Sequence, residues 1–168
     1  TLVPVYRRLV ADALTPLAAF QALRPDGWGF LFESVTGGDR VGRYSFLGAG
    51  PFQLFEATGN RITLRHTDGT HTDGESADPL KALEDFVGLY RAPHLAELPR
   101  FCGGAVGYMG YDAVRYVERL PNAPPDDRGL PDLSFALYAR MVIFDHVAKT
   151  ILVVAHGRGD TRDSYDAP

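Results

Sequence analysis

The sequence predicts an α+β fold of largely antiparallel, sandwich-like β-sheets with roughly two to three helices. It contains about eight or more short segments of β type and only two or three of helical type. The helical segments do not alternate one-for-one with the strands, as they would in a parallel doubly wound sheet. Short turn signals separate several neighbouring β-type segments, and such spacing is typical of hairpins.

The chain is expected to open with a strand and a short helix. Residues 3–10 read "VPVYRRLV", and Pro4 is compatible with a strand only near its end or at a sheet edge. In "LTPLAAFQAL", Thr15 can act as the N-cap and Pro16 suits the first helical position. Apolar residues recur at helical spacing in this segment, so a helix that begins at Pro16 is predicted.

A glycine-rich turn is predicted between strands at residues 28–35 and 43–48. The stretch "GGDRVGRYS" is close to the phosphate-binding loop G-x-x-x-x-G-K-[ST], but Arg43 and Tyr44 replace its last two residues. That loop also leads into a helix, whereas "RYSFLG" is aromatic and apolar and indicates a strand. We therefore interpret the glycines as a β–β connection and exclude a nucleotide site.

Two hairpins and a helix are predicted next. Gly59-Asn60 separates the alternating segments "FQLFEATG" and "RITLRHTDG", and "TDGT" indicates a second turn at residues 67–70. In "ADPLKALEDFVGLY", Asp78 is the expected N-cap and Pro79 the first helical residue, followed by one apolar face.

The C-terminal half is predicted to be mainly β. The segment "CGGAVGYMGYDAVRYVERLP" indicates a strand whose glycines let another backbone or a bulky ring come close. After the turn-rich "PNAPPDDRGLPD", residues 133–146 and 149–157 are long β-type runs. "DHVAKT" is expected to join these two runs as a hairpin.

Size and composition are those of an ordinary globular domain, and residues 1–168 are interpreted as one domain. The chain is 45% hydrophobic and 23% charged, with a net charge of −4. This charge gives no reason to expect nucleic acid or a membrane as a partner, and no apolar run approaches the roughly 18 residues of a spanning helix. Cys102 is the only cysteine, which favours a reducing, cytoplasmic location. The start at Thr1 and the polar C-terminal end suggest a piece of a longer protein.

The carboxylate in "LFES" is a candidate functional group. On a strand, Leu31, Glu33 and Val35 share one face, so a charge is expected between two apolar side chains. A buried carboxylate needs a cation or a hydrogen-bond donor nearby, and Arg43 on the expected neighbouring strand can supply it. Either Glu33 forms a structural ion pair or it contacts a ligand.

Other motifs are less informative. "GGAVGYMG" does not match G-x-G-x-x-G. His66 and His71 flank a turn, but the sequence places no third metal ligand beside them. "RGD" at residues 158–160 is short enough to recur by chance. No catalytic residue can be assigned, because catalytic triads are recognised by geometry and not by spacing.

Two long ordered segments carry a family resemblance: "FLFESVTGGDRVGRYSFLG" and "GGAVGYMGYDAVRYVERLP". With "VPVYRRLVADALTPLAAF" and "LPDLSFALYARMVIFDH", they resemble the N-terminal domain of anthranilate synthase component I over essentially the whole chain. Aminodeoxychorismate synthase component I shares segments similar to "RYSFLG" and "GGAVGY". The Glu-Ser pair after Leu-Phe resembles the anthranilate branch more.

The resemblance implies an enzyme of tryptophan biosynthesis that converts chorismate and ammonia to anthranilate and pyruvate. It implies that chorismate and Mg²⁺ bind in a C-terminal chorismate-binding domain outside this chain, and that residues 1–168 bind no metal or cofactor. It also implies a glutamine amidotransferase subunit, component II, that delivers the ammonia. The chain alone is therefore not expected to be catalytic.

The resemblance further implies an L-tryptophan feedback site on this chain. The family's Leu-Leu-Glu-Ser motif reads Leu31, Phe32, Glu33 and Ser34 here, and Phe32 departs from it while keeping the site apolar. An amino acid needs an acceptor for its ammonium, a donor for its carboxylate and an apolar slot. Ser34 and then Glu33 are the foremost candidates. Further candidates lie on the neighbouring strand, about 5 Å away: Arg43, Tyr44 and Ser45.

Two other functions fit the same residues. One is aminodeoxychorismate synthase component I of the folate pathway, in which a buried tryptophan is structural and not regulatory. The other is a free-standing amino-acid-binding module without a catalytic partner. A structural scaffold that binds no ligand is a third interpretation.

Overall fold

The structure is a computed structural model that describes residues 1–10, 13–23, 27–34 and 42–159. Within these residues, ten strands form two five-stranded sheets, with two α-helices and one 3-10 helix. Antiparallel pairing joins the strands in both sheets. The predicted α+β fold with antiparallel sheets is confirmed.

Sheet A belongs to a compact unit drawn from residues 1–51, 90–104 and 138–168. In spatial order its strands are β1 (Leu2–Val10), β10 (Thr150–Arg158), β9 (Arg140–Asp145), β3 (Tyr44–Ala49) and β2 (Gly29–Phe32). Strand β1 lies at the edge of the sheet, as Pro4 predicted.

Helix α1 (Pro16–Leu23) packs against β2 and β3 on one face of sheet A. Thr15 caps it as predicted, because its Oγ1 accepts a hydrogen bond from Ala18 N at 3.2 Å. Ala19 of the helix joins a buried cluster with Leu47, Phe144 and Ile151. This face of the sheet is therefore a hydrophobic core beneath the helix.

Sheet B lies mainly in a second unit, formed by residues 52–89 and 105–137. Its order is β6 (His71–Glu75), β5 (Arg61–His66), β4 (Gln53–Thr58), β8 (Leu133–Tyr138) and β7 (Gly104–Met109). Strand β4 pairs with β5 and β5 with β6, which confirms both predicted hairpins. Gly59 and Gly69 occupy these turns with φ of 53° and 85°, a conformation that glycine adopts without strain.

Helix α2 (Pro79–Gly88) has the predicted start. Asp78 Oδ1 accepts a hydrogen bond from Lys81 N at 2.9 Å, and Pro79 is the first helical residue. Phe86 is buried, with its ring centroid 5.4 Å from that of Phe55 in β4. In the part of the chain that the structure describes, no helix is long and apolar enough to cross a membrane.

Three predicted segments differ from the structure. The run over residues 133–146 breaks at Ala139, so that β8 pairs with β4 while β9 pairs with β3 and β10. The glycine-rich strand ends at Met109 and is followed by a 3-10 helix, Tyr111–Tyr116. Strand β2 ends at Phe32, three residues short of the predicted end at position 35. Periodicity indicates β structure but does not specify which strand is the partner, and the partner determines where a strand ends.

Close approach is confirmed at two glycines of this segment, whereas Gly104 has no neighbouring atom within 4 Å of its β-carbon position. A β-carbon at Gly107 would overlap the backbone of β8, at Ser134 O and Phe135 Cα. A β-carbon at Gly103 would lie 2.5 Å from the imidazole of His156. The neighbour at Gly107 is fixed backbone, so this position requires glycine, whereas the neighbour at Gly103 is a side chain.

Candidate functional site

The candidate residues lie at one end of the β2–β3 pair. Phe32 and Phe46 form the last pair in the register, so Glu33 and Ser34 follow the end of β2. Tyr44 and Ser45 precede Phe46 on β3 and are paired with Asp145 and Phe144 of β9. We call the residues Phe32, Glu33, Ser34, Arg43 and Tyr44 the strand-end site. The glycine-rich turn predicted between the strands at residues 28–35 and 43–48 lies outside the described residues except for Gly42.

The sheet divides the candidate residues between its two faces. Phe32 is paired with Phe46, and Tyr44 lies two residues from Phe46 with ring centroids 5.8 Å apart, so these three side chains share a face. Leu31 packs against the buried cluster beneath α1, and Ser45 alternates onto that same opposite face. The sequence analysis placed all these candidates around one ligand slot, whereas in the structure they lie on both faces of the sheet.

A continuous group of aromatic rings lines the Phe32 face. Phe30 is the central ring, with centroid distances of 5.1 Å to Phe32, 6.3 Å to Phe101 and 4.8 Å to Tyr138. Phe101 lies 5.3 Å from Phe46. Phe32 is 50% exposed, so the group opens to solvent at the strand end. Such rings form a rigid apolar wall against which a flat ligand can stack.

Arg43 pairs with Asp145 and not with Glu33. Its Nη2 lies 2.8 Å from Asp145 Oδ2, and its Nε lies 3.2 Å from Oδ1. Glu33 is exposed and follows the end of β2, so the predicted buried carboxylate is not found there. The expectation failed because it assumed that the strand continues to position 35, and the β2–β3 pairing ends at Phe32.

Asp145 also holds the turn between β9 and β10. Its Oδ1 accepts hydrogen bonds from Val147 N at 3.1 Å and from Ala148 N at 3.0 Å. Burial raises the pKa of the Asp145 carboxyl, but the hydrogen bonds from Arg43 and the turn outweigh this, and the pKa lies below its usual value. The carboxylate therefore carries its charge throughout the neutral range.

The guanidinium of Arg43 lies over the ring of Tyr44, with its central carbon 4.8 Å from the ring centroid. A guanidinium has five N–H donors in a fixed fork, and the contacts with Asp145 use its Nε and Nη2. The Arg43 side chain is 45% exposed. Nearly half of the Arg43 side chain is therefore open to solvent, and its Nη1 takes no part in the contact with Asp145.

Ser45 is engaged on the other face. Its Oγ lies 2.7 Å from His146 Nε2, and the residue is 2% exposed. The backbone N–H of His146 donates to Arg43 O at 2.8 Å. Ser45 thus helps to join β3 to the end of β9.

Sequence reasoning missed the partners of the strand-end site. Asp145 and His146 were interpreted only as the start of a hairpin, and Phe101 and Tyr138 were not singled out. The available signal was an Asp directly after a buried apolar run, since a charge at such a place needs a partner.

Metal ligands do not cluster in the described residues. Nowhere among them do three or more His, Cys, Asp or Glu side chains form a group that could hold a metal ion. His66 Nε2 lies 3.5 Å from Gln53 Nε2, and His71 Nε2 lies 3.9 Å from Asp73 Oδ2. The expectation that Mg²⁺ binds in another part of the protein stays a prediction.

Comparison with known proteins assigns a family. The family model described as chorismate binding enzyme matches residues 29–167, which include every strand from β2 to β10. The chain belongs to the chorismate binding enzyme family. That the chorismate site itself lies in a separate C-terminal domain stays a prediction.

Curated relatives match nearly the whole length of this chain. Anthranilate synthase component 1 of Acinetobacter calcoaceticus is 39% identical over 168 residues, covering 97% of this chain and 34% of the relative. Anthranilate synthase alpha subunit 2, chloroplastic, of Arabidopsis thaliana is 42% identical over 178 residues, covering 98% of this chain and 29% of the relative. The chain therefore spans about a third of the length of these relatives.

A solved structure shares the fold. The crystal structure of anthranilate synthase component I from Streptococcus pneumoniae TIGR4 matches with a TM-score of 0.58 and 26% identity. The match covers 96% of this chain and 34% of the solved one. Sequence and structure comparisons thus agree on the family.

Proposed function

We propose that this chain is the N-terminal, ligand-binding part of an anthranilate synthase component I. The whole enzyme converts chorismate and ammonia to anthranilate and pyruvate in tryptophan biosynthesis. The observation that carries this proposal is the coverage of 97% and 98% of the chain by relatives that are named anthranilate synthase. Because the chain spans a third of their length, we assign the chemistry and the Mg²⁺ to a C-terminal chorismate-binding domain outside it.

The proposed partners follow from the same assignment. A glutamine amidotransferase subunit, component II, supplies the ammonia, and the C-terminal domain of the same protein contacts this chain. We propose a cytoplasmic location, although the Arabidopsis thaliana relative is described as chloroplastic. Nucleic acid and membranes are not proposed as partners, since the net charge of −4 does not favour either.

The proposed role of this chain is to bind L-tryptophan at the strand-end site. The half-exposed Phe32 and the rings behind it supply an apolar wall for the indole. Arg43 has donors for the carboxylate, while the exposed Glu33 and Ser34 have a carboxylate and a hydroxyl for the ammonium. Leu31 and Ser45 lie on the opposite face and support the site without contacting the ligand.

Inhibition then works through a shift of populations. Tryptophan must bind one arrangement of the whole enzyme better than another, and the ratio of the two affinities limits the extent of inhibition. A site outside the catalytic domain can change turnover only in this way. The uninhibited rate is therefore expected to be insensitive to substitutions at the site.

The reaction is tested on the full-length protein that contains this chain. It is supplied with chorismate, Mg²⁺ and ammonium, and anthranilate is measured by its fluorescence. Formation of anthranilate supports the proposal, whereas accumulation of aminodeoxychorismate supports the folate-pathway alternative. Tryptophan binding without any turnover of chorismate supports a free-standing amino-acid-binding module.

The site is tested by Ser34→Ala in the full-length protein. We expect the tryptophan concentration for half-inhibition to rise roughly three- to tenfold, because one hydrogen bond to the ligand is lost. The uninhibited kcat and the KM for chorismate should not change. Thr72→Ala, an exposed hydroxyl substitution in β6, is the matched control. Unchanged inhibition in Ser34→Ala would remove Ser34 from the site.

A further inference from the structure

Asp145 is held rigidly beside the strand-end site. It is the last residue of β9, is paired in register with Tyr44, and accepts two hydrogen bonds from the turn that follows. Its side chain is 8% exposed. A carboxylate fixed at this many points does not need to be ordered when a ligand binds.

Arg43 gains its orientation from this carboxylate. A long side chain loses conformational freedom when a ligand immobilises it, and this loss weakens binding. The two-point contact of Nε and Nη2 with Asp145, together with the Tyr44 ring beneath, already fixes the guanidinium plane. Arg43 is therefore already ordered before the ligand binds, and binding loses less conformational entropy.

The charges are also consistent with an amino acid. Arg43 and Asp145 together are neutral, so Arg43 attracts a carboxylate by direct hydrogen bonds and not by a net positive field. Glu33, exposed at the end of β2, offers a negative charge at the same end of the strand pair. A zwitterion matches this arrangement, with its carboxylate toward Arg43 and its ammonium toward Glu33.

We propose that Asp145 is a positioning residue for the strand-end site, which holds Arg43 so that its remaining N–H edge receives the carboxylate of the amino-acid ligand. This inference rests on the proposed function of the site and assigns a role to a residue of β9. It also makes the β9–β10 turn part of the regulatory machinery, because the turn and Arg43 Nε both donate to Oδ1 of Asp145.

The principal test is Asp145→Asn in the full-length enzyme. Asparagine keeps an oxygen that can accept from Val147 N and Ala148 N but loses the charge that holds Arg43. We expect the tryptophan concentration for half-inhibition to rise roughly three- to tenfold, the factor that corresponds to immobilising one long side chain. The kcat and the KM for chorismate should remain at the wild-type values. These two constants also report whether the variant folds.

A double-mutant cycle shows whether Asp145 acts through Arg43. Arg43→Gln alone should weaken tryptophan inhibition at least as much as Asp145→Asn does. The double variant should be inhibited as strongly as Arg43→Gln alone. Arg43→Lys leaves Asp145 and the turn unchanged but removes the planar fork, so it should also weaken inhibition. Asp73→Asn is the matched control, since Asp73 pairs with Arg61 in the other unit.

Two results overturn this inference alone. If wild type is inhibited by tryptophan and Asp145→Asn is inhibited equally well, Asp145 has no positioning role. If the two substitutions weaken inhibition additively, Asp145 does not act through Arg43. An absence of tryptophan inhibition in wild type would overturn the proposed function of the site and this inference with it.

Discussion

At the scale of single residues, Asp145 has a partner that is distant in the sequence. The carboxylate is buried, which costs free energy, and it is compensated by Arg43, 102 positions away in the sequence. Because these hydrogen bonds go to the charged form, they hold the pKa of Asp145 below its usual value although burial alone would raise it. The charged form is therefore favoured more strongly in the folded state than in the unfolded chain.

This difference makes stability depend on pH in the acid range. A carboxyl whose pKa is lowered by folding contributes stability above its unfolded pKa and loses it as the pH falls through the folded pKa. We expect wild type to be more resistant to urea than Asp145→Asn at pH 7, and the difference between them to shrink below about pH 4. Urea midpoints at pH 7, 4 and 3 would test this. A difference that stays constant over this range contradicts the assignment.

The same residues mark the limit of sequence reasoning. Glu33 and Ser34 could be selected from "LFES", and β2 and β3 could be predicted as neighbours, because both signals are local. The actual partner of Arg43 could not be predicted, since no local pattern brings β9 beside β3. Ser45 and Tyr44 lie on opposite faces because side chains alternate along β3. This could be predicted only with the bounds of the strand known.

At the scale of elements, local signals succeeded where they fixed a start or a turn. Thr15 and Asp78 accept hydrogen bonds from the backbone at the starts of their helices, as their positions in the sequence predicted. The turns at Gly59-Asn60 and residues 67–70 are likewise confirmed. The break at Ala139 was missed, because two buried strands in succession have the same composition as one long strand.

The glycine in the middle of β7 gives a prediction at this scale. Gly107→Ala should lower the free energy of unfolding by about 1–3 kcal/mol, because the new β-carbon would meet backbone atoms of β8 that cannot rotate away. Gly74→Ala in β6 is the matched control, since nothing lies within 4 Å of its β-carbon position. The control should be neutral or slightly stabilising. Equal effects in urea denaturation would show that β7 and β8 are not this close.

At the scale of the whole molecule, each compact unit is assembled from separate stretches of chain. The first unit uses three stretches and the second uses two. Strand β8 lies between β4 and β7, and β9 and β10 lie between β1 and β3. Removing the last three strands would therefore leave both sheets with a gap in the middle.

A cut in the exposed loop at residues 121–130 tests this arrangement. A specific protease sequence placed there would give two fragments, with β8, β9 and β10 in the C-terminal one. We expect the fragments to elute together from a sizing column in buffer and to separate only in concentrated urea, because strand pairing joins them in both sheets. Separation in buffer alone would contradict the topology.

The pairing of β1 with β10 has a consequence for synthesis on the ribosome. Val10 is paired with Thr150, so β1 cannot pair until β10 has been translated, and β10 is the last of the described strands. At ordinary translation rates the delay is on the order of 10 s, during which β1 has no strand beside it. The arginines at positions 7 and 8 give this strand positive charge while it is unpaired. Charge on an unpaired strand discourages association between nascent chains, and we expect these two arginines to have this effect before the fold is complete.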